Sequence, residues 1–173
     1  MSWQTWMDKI DAFLEELVHG DFQPTYSYTP PNSLQNTLQA PVGVVNPDTL
    51  VLWDTPAHNY HNVRVLADLA GLSVNDKNIL CAVIYGESGF LNSARCENKN
   101  QHGVVTSVDV GICQINSFFH CGIGKDFTST DYVIANPQAA VDWMIKMYQN
   151  GLIKLWCAYS NGRYKQFLGK VPV

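Results

Sequence analysis

Between Val63 and Val110 the hydrophobic period switches from that of a helix to that of a strand, and no other feature constrains the fold as much. Val63, Leu66, Ala67 and Leu69 share one helical face, with Gly71 as a C-terminal stop. Ser73 or Asn75 can cap the next helix, in which Leu80, Val83 and Ile84 lead by helical spacing to Glu87. That spacing puts Glu87 on the buried-facing stripe. Asn98, Asn100 and Gly103 supply turns, and Val104–Val110 alternates as a short strand. Asn136-Pro137 opens another helix with Pro at its first position, its apolar face being Ala140, Trp143, Met144, Met147 and Tyr148 and its end Gly151. A last helical stretch carries Leu155, Trp156, Tyr159 and Phe167 and is interrupted at Ser160-Asn161-Gly162. The fold class is therefore α+β, mainly helical with a small β-hairpin element.

Upstream the pattern differs. Trp3, Trp6, Met7, Ile10, Phe13, Leu14 and Leu17 make residues 1–20 an amphipathic helix, suited to packing, self-association or a protein partner. A membrane-surface helix would carry Lys and Arg on its polar face, where this one carries Asp8, Asp11, Glu15 and Glu16. Acidic residues and the lack of an uninterrupted apolar core also make this stretch unlike a secretory signal. Residues 21–58, rich in Pro, Thr, Asn and Gln, read as a linker or extended wrap, and residues 59–173 as the compact domain. No segment approaches the ~20 apolar residues of a membrane span.

Composition narrows the function classes. With 46% hydrophobic residues, a 173-residue chain can bury a sizeable core. A formal charge of −4 without a dense basic cluster argues against a nucleic-acid partner. The five cysteines, Cys81, Cys96, Cys113, Cys121 and Cys157, leave at least one unpaired in a monomer. They read as reduced thiols, with a Cys96–Cys121 disulfide as the rival if the protein works outside a cell. Cys96, His120 and Cys121 lack any recognised ligand spacing, which argues against a metal site; no organic cofactor is expected either.

The chemistry is concentrated in two carboxylates. Glu87 ends an apolar helical run, and Asp109 lies in the alternating segment. Cleavage of a glycosidic bond needs one carboxyl protonated near neutral pH and another ionised. Burial against Val83, Ile84, Phe90 and Trp156, and the negative end of the helix dipole, would each favour the neutral form of Glu87. Ser107, Gln114 and Asn116 form a polar set able to hydrogen-bond Asp109, and Gly111 would let backbone approach a sugar closely. The plainer reading, a helix-surface Glu and a turn Asp, stays open on these residues alone.

The segments GESGF (residues 86–90) and SVDVGICQINS (residues 107–117) resemble the two active-site signatures of the lysozyme-like superfamily, the latter being most similar to the β-hairpin of C-type lysozymes. The resemblance runs from about Leu80 to Leu168. It implies Glu87 as general acid and Asp109 as nucleophile or oxocarbenium-stabilising carboxylate, with Gln114 and Asn116 lining the cleft; this division of labour is that of lysozyme, the type case among retaining glycosidases. Trp156 resembles the tryptophan that packs by the catalytic Glu, and is equally readable as core. Ala158-Tyr159-Ser160-Asn161-Gly162 is similar to an Ala-Tyr-Asn-x-Gly motif of lytic transglycosylases, with Ser160 where Asn is expected, and Tyr159 as a cleft residue. Phe118, Phe119 and His120 stand where aromatic sugar platforms would follow, or belong to the core. The cysteines do not reproduce the C-type disulfide set.

The resemblance implies a muramidase cutting the β-1,4 glycan of peptidoglycan, with Ser107, Gln114, Asn116, Trp156 and Tyr159 binding substrate. A lytic transglycosylase giving 1,6-anhydromuramyl products is the same-class alternative, and transglycosylases generally lack a second carboxylate. A non-catalytic glycan-binding or particle-structural module is the alternative of another class, and chitin is a rival substrate. Delivery by a phage particle or a secretion machine is the expectation for a wall-cleaving chain without a signal peptide.

Overall fold

The structure is a computed structural model that describes residues 49–170 and 172. The amphipathic helix expected over residues 1–20 and most of the extended segment lie outside the described residues. The described residues belong to one compact unit, Pro41–Val173.

Helix α1 (Pro56–Leu69) starts at Thr55, whose hydroxyl accepts from His58 N, with Pro56 at the first helical position. Helix α2 (Val74–Ser88) is capped by Ser73, which accepts from Asp76 N, and stops at Gly89 in the left-handed conformation. A three-stranded antiparallel sheet follows, β1 (Arg95–Lys99), β2 (Val105–Val110) and β3 (Ile115–Asn116), in that spatial order. Two short helices, α3 (Ser117–His120) and α4 (Thr130–Ala135), lead to α5 (Pro137–Gln149). The last elements are a 3-10 turn (Ile153–Leu155), helix α6 (Cys157–Ser160) and a 3-10 helix (Arg163–Phe167) beginning after Gly162 at φ +76°.

The mixed fold is as the periodicity predicts, with four additions: β1, the two-residue β3, α3 and α4. β1, Arg-Cys-Glu-Asn-Lys, is polar and mostly exposed, so it carries no alternation of its own; pairing with β2 makes it a strand. Asn98, read as a turn residue, therefore lies in β1, beside a register shift at Asn98/Lys99. The two short helices hold too few residues to show a helical period.

The core lies between α1, α2, α5 and the inner face of the sheet. Leu80, Val83 and Ile84 of α2, Val110 and Ile115 of the sheet, and Ala140, Val141 and Met144 of α5 are all buried within it. Residues 49–55, which the sequence places in the extended segment, are pinned to this unit. Asn62, fully buried, accepts from Val51 N and donates to Val51 O, both at 2.9 Å, and Asn92 Nδ2 donates to Trp53 O at 2.6 Å. All five cysteines are free thiols, with Cys81 and Cys113 buried.

Gly86 lets α2 approach α6. A Cβ at this position would stand 2.9 Å from Ala158 Cβ and 3.3 Å from Phe167 Cε2. Gly86→Ala should gain helix propensity of about 1 kcal/mol yet overpack by roughly 2–3 kcal/mol, because its Cβ would stand closer to Ala158 than side chains normally approach, for a net loss of about 1–2 kcal/mol. Urea denaturation would read this as a lower midpoint. A variant as stable as the parent would show that the close approach is not needed.

Candidate active site

Glu87 is the penultimate residue of α2, and its position is fixed by the residues that follow. Ser88 Oγ donates to Ile112 O at 2.6 Å and accepts from Phe90 N at 3.1 Å, so one buried hydroxyl joins the helix end to the turn between β2 and β3. Phe90 takes φ +65°, unusual for a residue with a Cβ, and is held there by its fully buried ring. Tyr60 and Tyr85 meet that ring edge-on, with centroids at 5.4 and 6.0 Å. Asn59 Nδ2 donates to Phe90 O at 2.8 Å. The Glu-Ser-x-Phe segment is thus one reactive candidate followed by two residues that aim it.

The sheet brings the polar set together through its register. Asp109 pairs with Cys96 on one side and Asn116 on the other, and Asn98 pairs with Ser107. Alternation then places Cys96, Asn98, Ser107, Asp109 and Asn116 on one face, while Val110 and Ile115 turn to the core. Asn116 Nδ2 donates to Asp109 Oδ1 at 2.7 Å and to Ser107 Oγ at 3.0 Å. Asn98 Nδ2 donates to Asp109 Oδ2 at 3.0 Å and to Ser107 Oγ at 3.1 Å. Both carboxylate oxygens of Asp109 are therefore bonded to amide N–H groups.

Glu87 sits in different company. Its half-buried side chain accepts from Ala158 N at 2.6 Å. Burial raises its pKa; the Ala158 N–H bond and the Arg163 guanidinium pull against this, and the Asp109 charge adds to the rise. The net shift is upward, the direction a general acid requires. Two carboxyl groups that feel each other, one desolvated and one held by amides, can divide proton donation from charge stabilisation.

The other expected substrate-binding residues have structural work here. Gln114, at φ +49°, donates from Nε2 to Gly111 O at 3.0 Å and closes the β2–β3 turn. Trp156 is buried in the core, with Nε1 donating to Cys113 O at 2.7 Å and its ring 5.7 Å from that of Trp143. Tyr159 is half-buried and stacks on Tyr164 at 4.9 Å. Phe118 and Phe119 are exposed, while His120 is half-buried against Asp126 and Trp143. A separate concavity at the start of α5, lined by Trp53, Asn136, Pro137 and Asp142, contains neither Glu87 nor Asp109. Among the described residues, no three of His, Cys, Asp and Glu converge as a metal site.

Sequence reasoning missed Asn98, the Ala158 N–H and Arg163. Asn98 was hidden because its strand lacks a pattern. Its spacing from Ser107 and Asp109 would be informative only once the hairpin register is known. The backbone N–H has no sequence signal at all.

Because Glu87 has its pKa raised above the ordinary 4.5, ionising it costs the folded state more than the unfolded chain. Any stabilisation it gives is complete below the ordinary value and is lost as pH rises through the folded pKa. Glu87→Gln keeps an acceptor for Ala158 N and carries no charge. It should therefore melt higher than the parent at pH 8, with the gap closing below pH 4.5. A gap independent of pH in thermal melts would contradict the burial argument.

Residues 72–166 match the family model of the transglycosylase SLT domain, over half of the chain and across both carboxylates and α6. No curated protein and no solved structure matches the chain.

Proposed function

We propose that this chain, which belongs to the transglycosylase SLT domain family within the lysozyme-like superfamily, is a muramidase cutting the β-1,4 bond between N-acetylmuramic acid and N-acetylglucosamine. Membership makes it a glycosyl-cleaving enzyme of peptidoglycan. The finer question is what captures the glycosyl cation.

The observation that supports hydrolysis is the bracketing of Asp109 by two side-chain amides, Asn98 and Asn116. An ionised carboxylate only accepts, and here each of its oxygens receives one amide N–H. In the proposed course Glu87 gives its proton to the leaving glycosidic oxygen. Asp109 stabilises the oxocarbenium ion or bonds to its anomeric carbon. Glu87, now ionised, takes a proton from water as the water oxygen attacks that carbon, and Asp109 leaves. Ser107, Asn116, Gln114, Trp156 and Tyr159 are proposed to shape the sugar site, Trp156 from the core side and Gln114 by holding the β2–β3 turn.

The family match favours a second reading, a lytic transglycosylase, in which the muramyl unit's own hydroxyl replaces water and a 1,6-anhydro ring forms. Mass spectrometry of a wall digest separates the two. Hydrolysis gives reducing muramic acid ends, whereas transglycosylation gives ends lighter by one water. Glu87→Gln should lose about 10²–10⁴-fold of the rate in either case. Asp109→Ala should lose at least about 100-fold if hydrolysis is right, by the same scale for a catalytic carboxylate. Anhydro ends together with a near-normal Asp109→Ala rate would replace the first reading by the second. Equally poor digestion by the parent and Glu87→Gln would favour a glycan-binding module instead.

A further inference from the structure

Arg163 stands beside the acid with most of its hydrogen-bonding capacity unspent. Gly162, at φ +76°, turns the chain, and Asn161 Oδ1 accepts from Arg163 N at 2.9 Å, fixing the start of the final 3-10 helix. Phe167 of that helix packs on Tyr85 of α2 with ring centroids at 4.9 Å. From this anchored position Arg163 Nη2 donates to Gly86 O at 2.6 Å, one residue before Glu87. The side chain is exposed, and among the described residues no carboxylate lies within ion-pair distance of it.

We propose that Arg163 is a specificity residue whose guanidinium takes a carboxylate carried by the muramyl unit of the glycan. The proposal deepens the peptidoglycan-cleaving reading and rests on it for the substrate class. A cap for Gly86 O, one of the helix-end carbonyls without an intrahelical partner, uses a single N–H. A guanidinium has five in a planar fork that matches a carboxylate. Capping alone therefore leaves four donors and the charge unexplained.

The charge also works against the acid. The charged and titratable groups that face Glu87 are Asp109 from β2, Cys157 from α6 and Arg163 from the final 3-10 helix. Arg163 is the cation among them, and it pulls the Glu87 pKa down where burial pushes it up. An anion bound to Arg163 would cancel that pull, so a carboxylated glycan would both dock at the acid and help keep it protonated. The chain as a whole carries −4, so net charge would not draw an acidic polymer and a local cation must. Chitin offers no carboxylate. A muramyl unit offers one on its lactyl ether when peptide-free, or those of its stem peptide when the lactyl group is amide-linked.

The test is equilibrium binding to the full chain carrying Glu87→Gln, so that the ligand survives, measured by titration calorimetry. Three ligands are compared: peptide-free glycan with lactyl carboxylates, the same glycan with those groups converted to methyl amides, and peptide-bearing glycan. Binding about tenfold or more tighter for a carboxylated ligand than for the methyl amide is expected, as for a hydrogen bond to a charged group. Preference for the peptide-free acid assigns the lactyl carboxylate, and preference confined to the peptide-bearing strand assigns the stem peptide. Adding Arg163→Gln should abolish the preference, while Arg163→Lys should retain part of it. The preference should also shrink as salt is raised, a readout that does not depend on any Arg163 variant folding. Equal affinity for the acid and the amide, or a preference that survives Arg163→Gln, overturns the proposal. Failure of the parent to cut cell walls would count against the glycosidase reading while leaving this binding comparison intact.

Discussion

The Ser88 hydroxyl, buried where the acid's helix meets the β2–β3 turn, donates to Ile112 O at 2.6 Å and receives Phe90 N at 3.1 Å. The distance between proton donor and second carboxylate depends on this junction, because Glu87 directly precedes Ser88 on α2 and Asp109 lies near the end of β2, just before the turn that holds Ile112. Removing the hydroxyl would leave a buried carbonyl and a buried N–H without this partner, a penalty of about 1–3 kcal/mol for each unsatisfied group. The neighbouring left-handed Phe90, clamped by Tyr60, Tyr85 and Asn59, serves the same end by directing the chain away from the helix once Glu87 has been presented.

Around that junction two environments are built from different materials. On the helix side the Glu87 carboxyl is half-buried, and one backbone N–H, from Ala158, meets it. On the sheet side two asparagines and a serine form a closed ring of hydrogen bonds about Asp109. Burial raises the pKa of Glu87, whereas the Asp109 oxygens each receive an amide N–H. The division of roles thus arises from packing and register, with the residue types themselves nearly alike. Arg163 adds a third influence, a cation tethered to the backbone of α2 next to the acid.

Much of the fold was legible because its principal helices announce their ends. Ser73, Gly71, Asn136-Pro137 and Gly151 mark boundaries by rules of capping and backbone freedom that operate within a few residues. The interruption at Ser160-Asn161-Gly162 was readable for the same reason and falls where α6 gives way to the final 3-10 helix. β1 was not legible, since a polar edge strand obtains its conformation from its neighbour. Nor were the roles of Gln114 and Trp156 at hand: each spends a side-chain N–H on a backbone carbonyl whose location follows only from the folded turn.

The sequence by itself determined the α+β class, the helix carrying Glu87, the strand carrying Asp109 and the family signatures that contain both, because periodicity, caps and motif spacing are local properties. The tertiary structure alone decided that Asn98 and Asn116 meet Asp109 from opposite sides, that Ala158 N meets Glu87, and that Arg163 stands beside it. Those encounters join residues on separate elements, and strand register and helix packing, which bring them together, are set by burial across the whole domain.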